Sequence, residues 1–295
     1  MNTRPLERIL VPIDLSPVSD KHIELAGQVA KTYNSELILF HSIDSLVIEH
    51  AAAGYDPEKL ISTLEAKARQ KLEEYQKKLE EAGVQVEIYD EMPVADPALA
   101  ISNAAKRAGA TEILIVKKGW RIKRFTLIGG TVKELIKLSS VPVILYHVSY
   151  SRKSKEIIVH GEPAFAKRLV FSIDKNVSDP LISYVRDLAK TANTEELILL
   201  HVIESEESDE MVNELIDRVY KSLQDAASSV KRAILKSGKT GKLIVKFAES
   251  IRGSLVVGRT VHKGVLDWIL GSTLDHIILY STQPIIVYPV VHINE

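Results

Sequence analysis

The sequence predicts an α/β protein built from two tandem doubly wound parallel-sheet sandwiches, and three observations carry that expectation. Short runs that are apolar along their whole length alternate with stretches of helical spacing, the pattern of strands buried on both faces of a parallel sheet by crossover helices. The pattern occurs twice: Arg8-Ile9-Leu10-Val11-Pro12-Ile13-Asp14 returns as Arg168-Leu169-Val170-Phe171-Ser172-Ile173-Asp174, 160 positions on. A turn of glycine and hydroxyl residues at a helix start also occurs twice, as Gly129-Gly130-Thr131 and as Gly271-Ser272-Thr273.

Taken in order, Arg8 to Asp14 is a strand that ends in a carboxylate. His22 to Thr32 has helical spacing, with Ile23, Ala26, Val29 and Ala30 inward and Ser19-Asp20 as the expected cap. Glu36 to Ile43 is the second strand, echoed by Glu196 to Ile203 at the same offset of 160. A longer helix aligns Leu60, Leu64, Ala68, Leu72, Tyr75 and Leu79 on one face and stops at Gly83. Then come a strand over Val84–Tyr89, a helix over Pro97–Ala108 opened by Asp96-Pro97, a strand over Ile113–Val116, a helix over Val132–Leu138 and a closing strand over Val143–Val148.

Residues 1–148 thus form a first domain, 149–167 a linker in which Ile157-Ile158-Val159 can add a short strand, and 168–295 a second domain. Gly129 corresponds to Gly271 and Pro142 to Pro284 at an offset of only 142, so the second copy is 18 residues shorter before its glycine turn. Val212, Leu215, Ile216, Val219, Leu223, Ala226, Val230 and Ile234 read as one side of a long helix, and Leu243–Ile251 as the crossover helix before a strand at Leu255–Val257. That reading leaves no room for a third strand in the second copy.

With 295 residues, 45% hydrophobic and 26% charged, each copy can bury a core of its own. A net charge of −1 gives no pull toward nucleic acid or an anionic membrane. The absence of cysteine excludes disulfides, thiolate metal sites and cysteine nucleophiles. The start, MNTRPLERILVPID, has no signal-like apolar core and no apolar run approaches a membrane span, so the cytoplasm is the expected location.

The stretch most suggestive of chemistry is Leu255–Leu274, where a buried strand feeds a glycine-containing loop and the loop feeds a helix. Glycine lets a backbone approach a ligand closely, and the free N–H groups of a helix start attract anions, which together make a phosphate site without a catalytic side chain. The same spacing also suits a plain strand-to-helix turn.

These residues, a strand ending VPID, a second ending FHSID or LHVIE, the glycine turns and closing strands VPVILY and QPIIVYP, resemble the universal stress protein family, here as two tandem domains over nearly the whole chain. The resemblance implies strand order 3-2-1-4-5 in each domain, which makes the strand missing from the second copy the edge strand 3. It also implies a G-x2-G-x9-G-[ST] loop for ATP or AMP, with magnesium accompanying ATP. Neither copy keeps the whole loop: Val261 stands for the second glycine in the second copy, while Val116 stands for the first glycine and Gly130 for the hydroxyl in the first. Carried over by position, the second site comprises Ser172, Asp174, Val202 and Val257 around base and ribose, with Gly258, Gly271, Ser272 and Thr273 at the phosphates. The first comprises Pro12, Asp14, Ser42, Ile115, Gly119, Gly129, Gly130 and Thr131. Either Asp also suits a turn cap.

Other signals are weaker. Lys117 to Arg124 holds five basic residues in eight positions, a solvated loop or a surface for phosphate or an acidic partner. Glu204, Glu206, Glu207, Asp209 and Glu210 follow the second strand of copy two; they suit a helix start, and if they face the pocket they oppose a triphosphate and favour AMP, a neutral nucleoside or no ligand. Ser237-Gly238-Lys239-Thr240 lacks the leading glycine of a phosphate loop, with Ala233 in its place and a helix expected before it. His41 and His201 recur at strand ends without metal-ligand spacing, and no nucleophile and base pair stands out. The sequence therefore suggests a nucleotide-responsive binding module without turnover, its domains forming a pseudo-dimer through the closing strands and the chain able to dimerise again. An interaction scaffold with vestigial pockets that recruits a protein partner is the alternative, and a nucleotide hydrolase a weaker one.

Overall fold

The computed structural model describes residues 4–51, 56–122, 125–127, 130–150, 156–203, 207–236, 238–259 and 271–289. In the N-terminal half the elements are β1 (Arg8–Pro12), α1 (Ser19–Tyr33), β2 (Glu36–Phe40), β3 (Ile43–Asp44), α2 (Ser45–Ala51), α3 (Pro57–Glu81), β4 (Val86–Ile88), β5 (Val94–Ala95), α4 (Pro97–Arg107), β6 (Glu112–Ile122), β7 (Phe125–Leu127), α5 (Gly130–Leu138) and β8 (Val143–Tyr150). They continue with β9 (Ile157–His160), β10 (Arg168–Ser172), α6 (Asp179–Thr191), β11 (Glu196–Val202), α7 (Asp209–Leu223), β12 (Ser229–Leu235), α8 (Thr240–Ile251), β13 (Ser254–Arg259), α9 (Ser272–Tyr280) and β14 (Ile285–Pro289).

Two compact units result, one from Leu6–Ile115 and Gly129–Val141, the other from Met1–Pro5, Val116–Ile128 and Pro142–Glu295. In the first, β4, β2, β1 and β6 lie side by side and parallel, the order 3-2-1-4. In the second, β12, β11, β10, β13 and β14 run parallel in the order 3-2-1-4-5. There β8 pairs antiparallel with β14, Ile144 opposite Ile286, so the two closing strands meet as expected. The expected strand at Ile157-Ile158-Val159 is β9, paired with β8.

The central strands are apolar because helices cover both faces: Ile9, Leu10 and Val11 of β1 and Leu169, Val170 and Phe171 of β10 expose no surface. Each such side chain contributes about 1.5–3 kcal/mol by burial. The helix signals also hold where side chains can cap. Asp96 accepts from the N–H of Leu99 at 3.0 Å before Pro97, and Asp56 accepts from that of Glu58 at 3.0 Å before Pro57. Gly83, at φ +79°, follows the end of α3, where positive φ suits glycine.

At the amino ends of the strands the repeat encodes a fastening. Arg8 bonds Glu36 at 2.9 Å and the carbonyl of Ala108 behind α4; Arg168 bonds Glu196 at 2.6 Å and the carbonyl of Ile251, the last residue of α8, at 2.6 Å. A guanidinium at a helix C-terminus satisfies carbonyls that have no partner within the helix.

Three expectations are corrected. The second copy does not lack its edge strand: the long helix ends at Leu223, and Ser229–Leu235 forms β12, paired with β11 from Glu196↔Ser229 to Val202↔Leu235. Ala226, Val230 and Ile234 are spaced by four, which is both about one helical turn and two strand repeats, so the pattern alone fits either. Ser19-Asp20 is not a cap: Ser19 is buried inside the first turn of α1, its hydroxyl donating to Asp14 Oδ1 at 3.1 Å. The basic loop is largely strand: β6 runs through Gly119 to Ile122 and pairs with β7, Trp120 opposite Leu127 and Ile122 opposite Phe125. Aromatic and β-branched residues favour extended backbone there, whereas Lys123 and Arg124 lie outside the described residues.

Candidate functional site at the carboxyl edge

In the second unit three neighbouring strands deliver the expected residues to one edge. Ser172 pairs with Leu200, which brings Asp174, two residues on, level with Val202; Phe171 pairs with Val256, which brings Ser172 level with Val257. Val202 and Val257 are buried, Ser172 is half-buried and Asp174 is exposed. An apolar floor beside an exposed carboxylate at the carboxyl ends of parallel strands is where open α/β sheets take ligands.

The carboxylates also shape their own turns. Asp174 Oδ1 accepts from the N–H of Asn176 at 2.8 Å, and Asp14 Oδ1 from that of Ser16 at 3.1 Å. The turn-capping reading of these residues therefore holds, and it leaves both carboxylates at the exposed edge. A histidine fixes each turn from the neighbouring strand: His41 Nδ1 donates to the carbonyl of Ile13 at 2.7 Å and His201 Nδ1 to that of Ile173 at 2.9 Å. Because a carbonyl only accepts, Nδ1 carries the proton in both rings. In the second copy Nε2 of His201 further meets Glu207 Oε2 at 3.1 Å, both side chains being buried. Glu207 is thus a structural partner, Asp209 and Glu210 open α7, and Glu204 and Glu206 lie outside the described residues.

Phosphate chemistry would fall to α9. Its first residue follows Gly271, at which an added Cβ would have no neighbour within 4 Å among the described residues and φ is −54°, so what glycine provides here is space and not an unusual conformation. The cap residue, Gly271, has no side chain with which to cap this start, so the first-turn N–H groups of Ser272 and Thr273 point along the helix axis as donors with no partner within the helix. Gly258 sits inside β13 opposite Tyr288, one step earlier than the loop expected to begin there, and Val261 lies outside the described residues.

Two further residues were not among those expected at the second site. Arg259, the last residue of β13, follows Gly258 half-buried; burial pulls its pKa down, yet a guanidinium stays protonated near neutrality. Lys117, assigned by sequence to a basic loop, is only 2% exposed and donates to the carbonyls of Ile278 at 2.5 Å and Ser281 at 2.6 Å. The offset of 142 relates Lys117 to Arg259, and this repeat-equivalence was the available signal.

In the first unit, Ile9 pairs with Glu112, which brings Pro12 level with Ile115; both are buried, with Asp14 exposed and Ser42 half-buried nearby along the chain. Gly130 and Thr131 open α5, an added Cβ at Gly130 meeting nothing within 4 Å. Gly119 lies within β6 instead of in a loop, and Gly129 is outside the described residues. The phosphate-loop reading of Gly238-Lys239-Thr240 fails for want of the leading glycine, as expected, although a strand and not a helix precedes it: Ala233, in that glycine's place, is still paired in β12 with Leu200. Too little chain remains before α8 to wrap a phosphate. No group of three or more His, Asp or Glu among the described residues could hold a metal, and no helix among them is long and apolar enough to cross a membrane.

Two repeats of a parallel α/β sandwich, each with an exposed carboxylate just past its first strand and a glycine at the start of a later helix, define a class of doubly wound α/β domain. The chain belongs to the universal stress protein family, whose model matches residues 5–147 and 166–289. It is similar to the universal stress protein YxiE of Bacillus subtilis (strain 168), 30% identical over 146 residues that span 47% of this chain and 97% of that protein. A crystal structure of a universal stress protein from Archaeoglobus fulgidus DSM 4304 superposes with a TM-score of 0.74 at 23% identity, covering 96% of this chain and 98% of that one, a likeness of fold.

Proposed function

We propose that the protein is a cytoplasmic, stress-related binding module that takes an adenine nucleotide, AMP or ATP, at the carboxyl edge of its second copy. The observation that carries this reading is the register of β10 between β11 and β13, which gathers Val202, Asp174 and Val257 beside the end of β13. Val202 and Val257 would line the base, and Ser172 and Asp174 would accept from ribose hydroxyls or the adenine amino group. The amides of Ser272 and Thr273, the open space at Gly271 and the backbone of Gly258 would meet the phosphates, with Arg259 adding charge. Asp275 brings one carboxylate into the first turn of α9, which favours a monophosphate over a triphosphate unless magnesium accompanies ATP. No residue here is assigned to bond cleavage, so binding without turnover is the reading.

The first copy supports the scaffold reading better, because β6 continues as strand through Gly119 where a phosphate loop would open. The test is to purify the protein, denature it and analyse the released small molecules, then titrate AMP and ATP with and without magnesium. Asp174→Ala should weaken binding at least about tenfold, as loss of a charge-assisted hydrogen bond does, while Asp14→Ala leaves it unchanged. No released nucleotide together with no titratable binding would reject the reading.

A further inference from the structure

Nine residues make α9 too short to hold its own shape in water, and only Leu274, Ile277 and Ile278 of its side chains are buried. Its position depends on what grips its ends. Near the start, Gly241 of α8 admits it closely: a Cβ there would stand 2.9 Å from both the carbonyl oxygen of Thr273 and Cβ of His276. At the other end two charged side chains divide the polar groups of the turn. Lys117 donates to the carbonyls of Ile278 and Ser281, at 2.5 and 2.6 Å, and Glu249 of α8 accepts from the N–H and hydroxyl of Thr282, at 3.4 and 3.1 Å. A buried lysine is a costly way to satisfy two carbonyls that water could serve at a surface, and its charge lies at the end of the helix where a cation reinforces the dipole.

We propose that Lys117 is a positioning residue for the phosphate site of the second copy: it anchors the C-terminal end of α9 and thereby fixes the amides of Ser272 and Thr273 at the other end. This rests on the nucleotide reading above. A cation at the C-terminus and an anion at the N-terminus of one short helix stabilise each other, so phosphate binding and protonation of Lys117 are linked and reciprocal. Burial pushes the Lys117 pKa down to about 7, with Glu249 opposing the shift. The other groups facing it are His147 of β8, taken down to about 4 by burial and then by the lysine charge, and His160 of β9, lowered by the same causes. Phosphate affinity is therefore expected to fall as pH rises through about 7, where Lys117 loses its charge.

The test compares AMP with adenosine, which lacks the phosphate, in wild type, Lys117→Met and Glu249→Gln. Lys117→Met should weaken AMP by about tenfold and leave adenosine unchanged, the size expected of a partly buried charge at a helix end. Glu249→Gln should move the pH midpoint of AMP affinity, relative to adenosine, to lower pH, and it keeps the proposal testable if Lys117→Met does not fold. Equal losses for AMP and adenosine, wild-type AMP affinity in Lys117→Met, or an unmoved midpoint in Glu249→Gln would overturn it. Amide hydrogen exchange separates failure of this proposal from failure of the nucleotide reading. Faster exchange over α9 in Lys117→Met supports the anchor even if the wild type binds no nucleotide, and unchanged exchange there removes it.

Discussion

His201 donates from Nδ1 to the carbonyl of Ile173, the residue before Asp174, and His41 makes the same contact to Ile13 before Asp14. The end of the second strand thus fixes the turn that follows the first, and the backbone completes the fastening: the N–H groups of Ile173 and Ile13 donate to Leu200 and Phe40, each at 2.8 Å. His201→Ala should lower unfolding free energy by about 1–3 kcal/mol, the range for breaking a buried polar contact. His41→Ala should lower it less, since no carboxylate contact corresponding to that of Glu207 is lost. Urea unfolding of the two variants checks the order.

Lys117 and His147 make stability depend on pH in a defined direction. The folded protein holds Lys117 at about 7 against an ordinary 10.5, and His147 at about 4 against 6.5. In both windows the unfolded chain binds protons that the folded chain has released, so stability rises with pH from about 4 to 6.5 and again from about 7 to 10.5. Lys117→Met should flatten the upper rise, a difference on the order of 1–3 kcal/mol across the window, and shorten the lower one, because the lysine charge that helps hold His147 down is gone while burial still lowers it. Thermal unfolding across a pH series reads both.

Gly241 carries a steric expectation. Since an alanine Cβ would sit 2.9 Å from the backbone oxygen of Thr273, Gly241→Ala must push α8 and α9 apart. A loss of about 1–3 kcal/mol is expected from overpacking, with weaker AMP binding because the displaced segment is the start of α9. A variant of wild-type stability and affinity would show that the two helices give way freely.

Glu196 is held below the ordinary carboxylate range by its hydrogen bond from Lys231 and then by Arg168, against the opposing effect of burial. A depressed acid contributes stability above its unfolded pKa, and the contribution is lost as pH falls through the folded value. Glu196→Gln should therefore cost about 0.5–1 kcal/mol at neutral pH, the range for a partly exposed ion pair, and nothing in strong acid. Chemical denaturation at pH 7 and in strong acid distinguishes the two.

Most of the sheet was legible because buried parallel strands such as Ile9-Leu10-Val11 and Leu169-Val170-Phe171 have no polar face to confuse the pattern, and because the repeat printed each twice. The edge strand β12 was not. Its residues are largely half-buried or exposed, Arg232 pairing with Asp217 and Lys231 with Glu196, so it lacks the apolar run that marks its neighbours. Of the candidate site, the register brings Ser172, Asp174, Val202 and Val257 to the carboxyl ends of neighbouring strands, whereas Gly119 was assigned to a loop that is strand.

The sequence by itself determined most of the strands and helices, their twofold repetition and the carboxylates and glycines at the turns, because periodicity and backbone preference are properties of neighbours along the chain. Only the tertiary structure decided that Lys117 is buried against α9, that His201 and His41 brace the Asp turns, and that Ser229–Leu235 joins a sheet. Those outcomes depend on which polar group finds a partner far away in sequence once water is excluded, and local pattern carries no record of that choice.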